Sequence, residues 1–109
     1  MPRKARLEDR FVEALEKGGV SYDSKIFYVG NKLYLPDFVF GGLIVEISEE
    51  LTPKRLELIK KFRKADDEHK IYLLTEDTKH AVEFAEFFDE VFDYASMNVL
   101  MSQIKKFKG

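Results

Sequence analysis

The sequence predicts a single α/β domain, residues 1–109, with a mixed sheet that starts as an antiparallel meander and continues with parallel strands. Gly41-Gly42 separates two runs of apolar and β-branched residues, which is typical of a two-residue β-hairpin. A helical stretch then lies between two strand-like runs, which favours a right-handed crossover to a parallel neighbour. The early hairpins argue against a doubly wound fold, in which strands and helices alternate throughout.

The first part of the chain predicts a helix and two strands ahead of the Gly-Gly turn. Residues 4–17 repeat apolar side chains at helical spacing, and Gly18-Gly19 ends this helix. Strands are predicted over Lys25–Val29 and Lys32–Phe40. Pro36 has no N–H to donate, so we expect it where the ladder is open or bulged.

The strand after the turn, Leu43–Ile47, is apolar on both faces except at Glu46, which predicts a central strand covered on two sides. Thr52 as N-cap and Pro53 at the first position begin a helix that ends near Asp66-Asp67. The remaining predicted strands are Lys70–Thr75 and Glu90–Asp93. A helix between them is capped by Asp77 or Thr78 and has its apolar residues from Val82 to Phe88 in the core, and a last helix is capped by Ser96. The predicted order is α-β-β-β-α-β-α-β-α.

Composition limits the classes of protein. Hydrophobic residues make up 45% and charged residues 35% of the chain, as in a globular domain. There is no cysteine, which excludes disulfides, thiolate metal sites and cysteine nucleophiles. No apolar run approaches the roughly 20 residues of a membrane span, so we expect a cytoplasmic protein without membrane contact. Asn and Gln total only three residues, a thermophile-like composition.

The charges are segregated along the chain. A net charge of −2 argues against strong, nonspecific nucleic-acid binding by a basic surface. The basic residues nevertheless form three groups: Arg3, Lys4 and Arg6; Lys54, Arg55, Lys60, Lys61, Arg63 and Lys64; and Lys105, Lys106 and Lys108. The middle group lies on one predicted helix, and its side chains either face solvent or bind the phosphates of a nucleic acid.

Two acids are predicted to oppose each other next to the hairpin. If Gly41-Gly42 is the whole turn, Asp37 faces Glu46, and both share a sheet face with Val39 and Ile44. Like charges in apolar surroundings are costly, and a divalent cation is the simplest compensation. Alternatively, both acids lie solvated at an open sheet end. In the first case at least one pKa is raised, and Asp37→Asn or Glu46→Gln should stabilise the metal-free protein at neutral pH.

At these residues the chain resembles the PD-(D/E)xK, or restriction-endonuclease-like, nuclease superfamily. Its pattern is a Pro-Asp, then a strand ending in Glu-x-Lys, preceded by a helix that often carries another Glu. Pro36-Asp37 matches the first part, Glu46 and Ser48 occupy the second, and Glu8 lies on the preceding helix. The resemblance covers about residues 4 to 75 and implies an α-β-β-β-α-β core, here with an α-β-α extension at the C-terminal end.

The resemblance implies hydrolysis of DNA phosphodiester bonds with Mg²⁺ or Mn²⁺. Asp37 and Glu46 would hold the metal, with Glu8 as a third carboxylate, and the metal would generate the attacking hydroxide. DNA is the implied partner, a homodimer is left open, and no small-molecule ligand is expected.

The chain departs from the superfamily pattern at Ser48, which stands where the catalytic Lys is usual. Lys25, Lys32 or Lys54 could supply that charge, and Lys54 is preferred because it lies in the first turn of the helix after the Glu46 strand. Ser48→Lys is expected to raise cleavage. The missing Lys also supports a rival hypothesis, a catalytically inactive module that binds or scaffolds. A small α/β regulatory domain that binds Mg²⁺ is a third class, which the Pro-Asp hairpin disfavours.

Overall fold

A computed structural model of the chain describes residues 6–77, 79 and 82–108. Its helices and strands are, in chain order, α1 (Leu7–Lys17), β1 (Phe27–Val29), β2 (Lys32–Tyr34), β3 (Phe38–Phe40), β4 (Leu43–Ile47), α2 (Pro53–Ala65), β5 (Lys70–Thr75), β6 (Glu90–Asp93) and α3 (Met97–Lys108). Short 3₁₀ helices lie at Ser48–Glu50, Val82–Phe87 and Tyr94–Ser96. In this part of the chain no helix is both long and apolar enough to cross a bilayer.

The mixed sheet that the sequence predicts is confirmed. Its four strands run in the order β3-β4-β5-β6, with β3 antiparallel to β4 and the other two pairs parallel. The hairpin register is also confirmed, because Phe40 pairs with Leu43 and Phe38 with Val45. Gly41 has a φ of 61°, the left-handed region that glycine reaches without steric cost.

The prediction of one continuous strand over Lys32–Phe40 is wrong. This segment forms two strands, β2 and β3, which belong to different sheets. The break spans Leu35–Asp37 and contains Pro36, which cannot donate to a ladder. As a result, β1 and β2 form a separate two-stranded sheet, and the predicted meander of three strands does not form within the main sheet.

The four-stranded sheet is covered on both faces, which explains why all five residues of β4 are buried. One face packs against α1 and α3, and its core includes Leu7, Phe11, Val45, Ile47, Leu100 and Ile104. The other face packs against α2 and the β1-β2 hairpin, and its core includes Tyr34, Val39, Ile44, Ile59, Phe62 and Leu73. Successive residues of a strand point to opposite faces, so Glu46, two residues after Ile44, points towards α2.

Between β5 and β6, residues 82–87 differ from the predicted α-helix. Residues 82–87 form a 3₁₀ helix, and Val82, predicted to be core, is 73% exposed. A 3₁₀ helix has about three residues per turn, so Val82 and Ala85 share the outer side while Phe84 and Phe87 lie partly buried on the inner side. Phe88 is buried as predicted. The alternative cap Thr78 lies outside the described residues.

Two of the predicted capping residues, Thr52 and Ser96, have different outcomes. Thr52 is confirmed as the N-cap of α2, since its Oγ1 accepts a hydrogen bond from the Arg55 N–H at 3.1 Å. Ser96 is not a capping acceptor. Asp93 is instead the N-cap of the preceding 3₁₀ helix, Tyr94–Ser96, and its Oδ1 accepts from both the N–H and the hydroxyl of Ser96 at 2.9 and 2.8 Å. The Thr52 cap fixes the first turn of α2, where Arg55 lies.

Candidate functional site

Asp37 and Glu46 meet at the end of the hairpin, as the register predicts. The Asp37 N–H donates to Glu46 Oε2 at 3.1 Å, and Asp37 Oδ2 accepts from the Ile47 N–H at 2.8 Å. Because Pro36 interrupts the ladder, the Asp37 side chain takes the place of a strand partner for the end of β4. Glu46 is completely buried, whereas the Asp37 side chain is 13% exposed.

Arg55 neutralises both acids. Its Nε donates to Glu46 Oε1 at 2.7 Å, and its Nη2 lies 3.2 Å from Asp37 Oδ1. The same Nη2 donates to the Leu35 carbonyl oxygen at 2.8 Å. The pair is therefore compensated within the chain, since Arg55 supplies the positive charge that the sequence analysis assigned to a divalent cation. Removing one acid is therefore expected to destabilise the protein, the opposite of the effect expected for an uncompensated pair.

Tyr34 completes this network. Its hydroxyl donates to Glu46 Oε2 at 3.0 Å, and its side chain is fully buried. Burial, together with the charge and hydrogen bond of Glu46, raises the pKa of the Tyr34 phenol far above its usual value. The phenol therefore stays protonated and remains a donor. The Arg55 guanidinium also lies over the Tyr34 ring, 5.8 Å from its centroid.

Arg55 is a permanent cation in this setting. Burial alone would lower its pKa, but the hydrogen bond and charge of Glu46 and the charge of Asp37 raise the pKa above its ordinary value. Among the described residues, no buried side-chain nitrogen or oxygen lacks a hydrogen-bond partner. We call Tyr34, Asp37, Glu46 and Arg55 the acid-arginine network.

The other predicted site residues lie around this network. Glu8 is on α1, which packs on the sheet face opposite to the one that carries Glu46, and its N–H donates to Glu49 Oε1 at 3.1 Å. Ser48 follows β4 directly and begins a 3₁₀ helix. Lys54 is exposed beside Arg55. The structure therefore brings together Asp37 and Glu46, with α1 on the far side of the sheet.

The donor groups do not fit a divalent cation as they are arranged. Over residues 6–77, 79 and 82–108, no three His, Asp or Glu side chains cluster closely enough to hold a metal ion. Both oxygens of Glu46 already accept hydrogen bonds, from Tyr34, Asp37 and Arg55. A cation at these carboxylates would have to displace the guanidinium.

A groove of about 760 Å³ lies beside the network, between β2 and α2. Its lining includes Lys32 and Leu33 from β2, and Lys54, Arg55 and Lys61 from α2. Its charged lining is mainly basic, and Arg55 connects it to the buried acids. We call this the hairpin-α2 groove.

The motif did not reveal that Arg55 contacts the two acids, although its helical spacing places it on the buried side of α2. Ile59 and Phe62 are the buried residues of α2, and Arg55 lies four residues before Ile59 on the same side of the helix. Lys54, the preferred candidate, is rotated away from that side. No family model matches the chain, and no curated protein or solved structure matches it either.

Proposed function

We propose that this chain is a non-catalytic, nucleic-acid-binding module in which a nuclease-like pair of acids acts as a structural link. One observation carries the proposal: the Arg55 guanidinium lies between the two carboxylates, 2.7 Å from Glu46 and 3.2 Å from Asp37. An arginine in this position supplies the positive charge that the acids need. It holds them inside the domain instead of presenting them to a phosphate.

The burial of the acids supports the same function. A residue that binds a catalytic metal or a phosphate must be reachable by it, and Glu46 has no exposed surface. Its partners are an N–H, a phenol and a guanidinium, all of them donors whose loss would leave a buried charge unpaired. Ser48, in the place of the motif Lys, brings no charge for the stabilisation of a transition state.

The outer face of α2 supports nucleic acid as the partner. This helix carries Lys54, Arg55, Lys60, Lys61, Arg63 and Lys64 against a single acid, Glu57. Of these, Lys54, Lys60, Lys61 and Lys64 are exposed. A basic helix face on a protein of net charge −2 concentrates positive potential on one surface, which attracts a polyanion there.

A metal-dependent nuclease is the second candidate, and the meeting of Asp37 and Glu46 favours it. Their 3.1 Å contact joins a main-chain N–H to a carboxylate at the sheet end where the superfamily has its acids. In such an enzyme Mg²⁺ or Mn²⁺ would take the place of the guanidinium, and Arg55 would be freed to contact a phosphate. Metal dependence thus remains a prediction of this second candidate.

Cleavage assays separate the two candidates. Wild type is incubated with plasmid, branched DNA, single-stranded DNA and RNA in Mg²⁺, in Mn²⁺ and in EDTA, beside Asp37→Asn and Ser48→Lys. The proposed function predicts no cleavage above background by any of the three proteins. Asp37→Asn is the matched control for a contaminating nuclease, because it retains the carbonyl oxygen of the side chain and removes the charge. Metal-dependent cleavage by wild type that Asp37→Asn abolishes would refute the proposal and establish the second candidate.

A further inference from the structure

The hairpin-α2 groove combines positive charge with exposed apolar surface, and this combination points to one kind of ligand. We infer that the groove binds single-stranded nucleic acid, an inference that rests on the proposed function and names its substrate class and site. Phosphates would lie along the lysines of the groove, and bases would stack on the exposed outer face of the β1-β2 hairpin.

The charges of the groove are available to a ligand. Lys32, Lys54 and Lys61 are exposed and make no ion pair with another described residue, whereas Glu57 is the only acid in the lining. The charge of Arg55 is already compensated by Asp37 and Glu46. Three lysines on two elements therefore face a groove that is open to solvent, which suits the evenly spaced phosphates of a strand.

The hairpin supplies the surface for bases. Tyr28 and Leu33 are cross-strand partners and are 77% and 49% exposed. Ile26 and Leu35 follow on the same side of the hairpin and are 57% and 52% exposed. Leu33 also lines the groove, so the apolar surface is continuous with the basic one. An exposed tyrosine ring that adjoins a basic groove is the arrangement on which unpaired bases stack.

The exposed ring favours a single strand over a duplex. In a duplex the bases are stacked on one another, so their faces cannot stack on Tyr28, and the lysines would contact the phosphates without help from the ring. An acidic polypeptide would use the lysines equally but would make no use of the tyrosine ring. Dependence on Tyr28 is therefore the property that separates a single strand from the other two ligands.

Fluorescence anisotropy tests this site in EDTA, where cleavage does not contribute. The labelled probes are 15-nucleotide oligothymidylate and oligouridylate, which distinguish DNA from RNA, and a 15-base-pair duplex. Poly-glutamate is added as a competitor. We expect the single strands to bind at least fivefold more tightly than the duplex at the same salt. We expect Tyr28→Ala to weaken single-strand binding fivefold or more, as loss of a stacked base does.

The salt dependence reports on the lysines. Three phosphate contacts give a slope of about −2 in a plot of log K against log salt for a single strand. The double variant Lys54→Gln/Lys61→Gln leaves one contact, so the slope should become shallower, about −0.7. The matched controls are Lys105→Gln/Lys106→Gln on α3, which removes the same charge elsewhere, and Tyr94→Ala, which removes another exposed ring. Both controls should bind like wild type.

Three results would overturn the inference. The first is a Tyr28→Ala variant that binds single strands like wild type, and the second is a duplex that binds as tightly as a single strand. The third is poly-glutamate that competes fully, which would assign the groove to an acidic protein. Metal-dependent cleavage in the separate assay would overturn the proposed function alone and leave the groove in place.

Discussion

At the scale of the residue, Arg55 decides what the two acids can do. It contacts Glu46, Asp37 and the Leu35 carbonyl, and thereby converts a pair of like charges into a compensated group. Arginine suits this position because its planar guanidinium offers several donors in a fixed geometry and keeps its charge when it is partly buried. A lysine at the same position would present one compact charge to two separate carboxylates.

Glu46→Gln tests the compensated pair. We expect it to lower the free energy of unfolding by about 3 kcal/mol at pH 7, the lower end of the range for breaking a buried pair, because the Arg55 side chain is 22% exposed and keeps Asp37. Urea unfolding with and without Mg²⁺ measures it. Glu57→Gln, an exposed acid on α2, is the control and should change stability by less than about 0.5 kcal/mol. If Glu46→Gln is more stable than wild type, Arg55 does not compensate the two acids and the prediction is wrong.

Tyr34 gives the network a signature at high pH. Burial and the Glu46 charge raise the pKa of its phenol above the unfolded value of about 10, so the native state keeps a proton that the unfolded chain releases. The stability that Tyr34 contributes is therefore complete below pH 10 and falls by about 1.4 kcal/mol per pH unit above it.

Tyr34→Phe should remove this part of the pH dependence. Unfolding free energies measured between pH 8 and 11.5 should converge for wild type and Tyr34→Phe as the pH rises. Tyr28→Phe is the control, because Tyr28 is exposed and should leave the slope at its wild-type value. Parallel curves for wild type and Tyr34→Phe would mean that the phenol ionises freely in the native state.

At the scale of the element, local sequence features predicted the hairpin and the parallel crossover. They did not predict that β2 ends at Tyr34. Gly41-Gly42 and the Thr52-Pro53 cap are short-range features, so a register and a helix start could be derived from them. The break at Leu35–Asp37 has the same apolar and β-branched neighbours as a strand. Pro36 indicates an open ladder there, but the hydrogen bond that Arg55, 20 residues further on, donates to the Leu35 carbonyl cannot be derived from local signals. That contact exists only once α2 has packed.

Gly41→Ala tests how closely the Gly-Gly turn packs on the last helix. A Cβ at Gly41 would lie 3.2 Å from the Phe107 carbonyl oxygen, and the position also has positive φ. Gly30→Ala is the matched control, with a φ of 64° and open space around it. Both changes should cost about 1 kcal/mol for the left-handed conformation. We expect Gly41→Ala to cost about 1 kcal/mol more in urea unfolding, and equal costs would show that α3 yields to the added methyl group.

At the scale of the whole molecule, the acid-arginine network joins three parts of the fold. Tyr34 belongs to the two-stranded hairpin, Glu46 to the four-stranded sheet and Arg55 to α2. The meeting of Asp37 with Glu46 followed from the sequence. So did the order of elements, except that Lys32–Phe40 is divided into β2 and β3 and residues 82–87 form a 3₁₀ helix. The link between the two sheets could not be derived, because it depends on long-range contacts, among them the packing of Phe27 and Tyr34 against Phe62 on α2.

If this network ties the hairpin to the main sheet, its loss should uncouple the two. In wild type we expect amides of β1 and β2 to exchange through openings not far below the global unfolding free energy that governs β5, because opening the hairpin breaks the Tyr34–Glu46 bond. Arg55→Met keeps much of the side-chain volume of Arg55 and removes its charge. It should speed hairpin exchange relative to β5 by tenfold or more, corresponding to the loss of about 1.4 kcal/mol of coupling.

Hydrogen exchange followed by mass spectrometry measures both segments in one sample. Arg63→Met is the matched control, since Arg63 is also on α2 but binds Asp89 at 3.0 Å and the Glu86 carbonyl at 3.1 Å, away from the hairpin. It should lower global stability without changing the ratio of hairpin to β5 exchange. If Arg55→Met also leaves that ratio unchanged, the aromatic contacts of Phe27 and Tyr34 with Phe62 alone hold the hairpin, and the network would serve only to neutralise the acids.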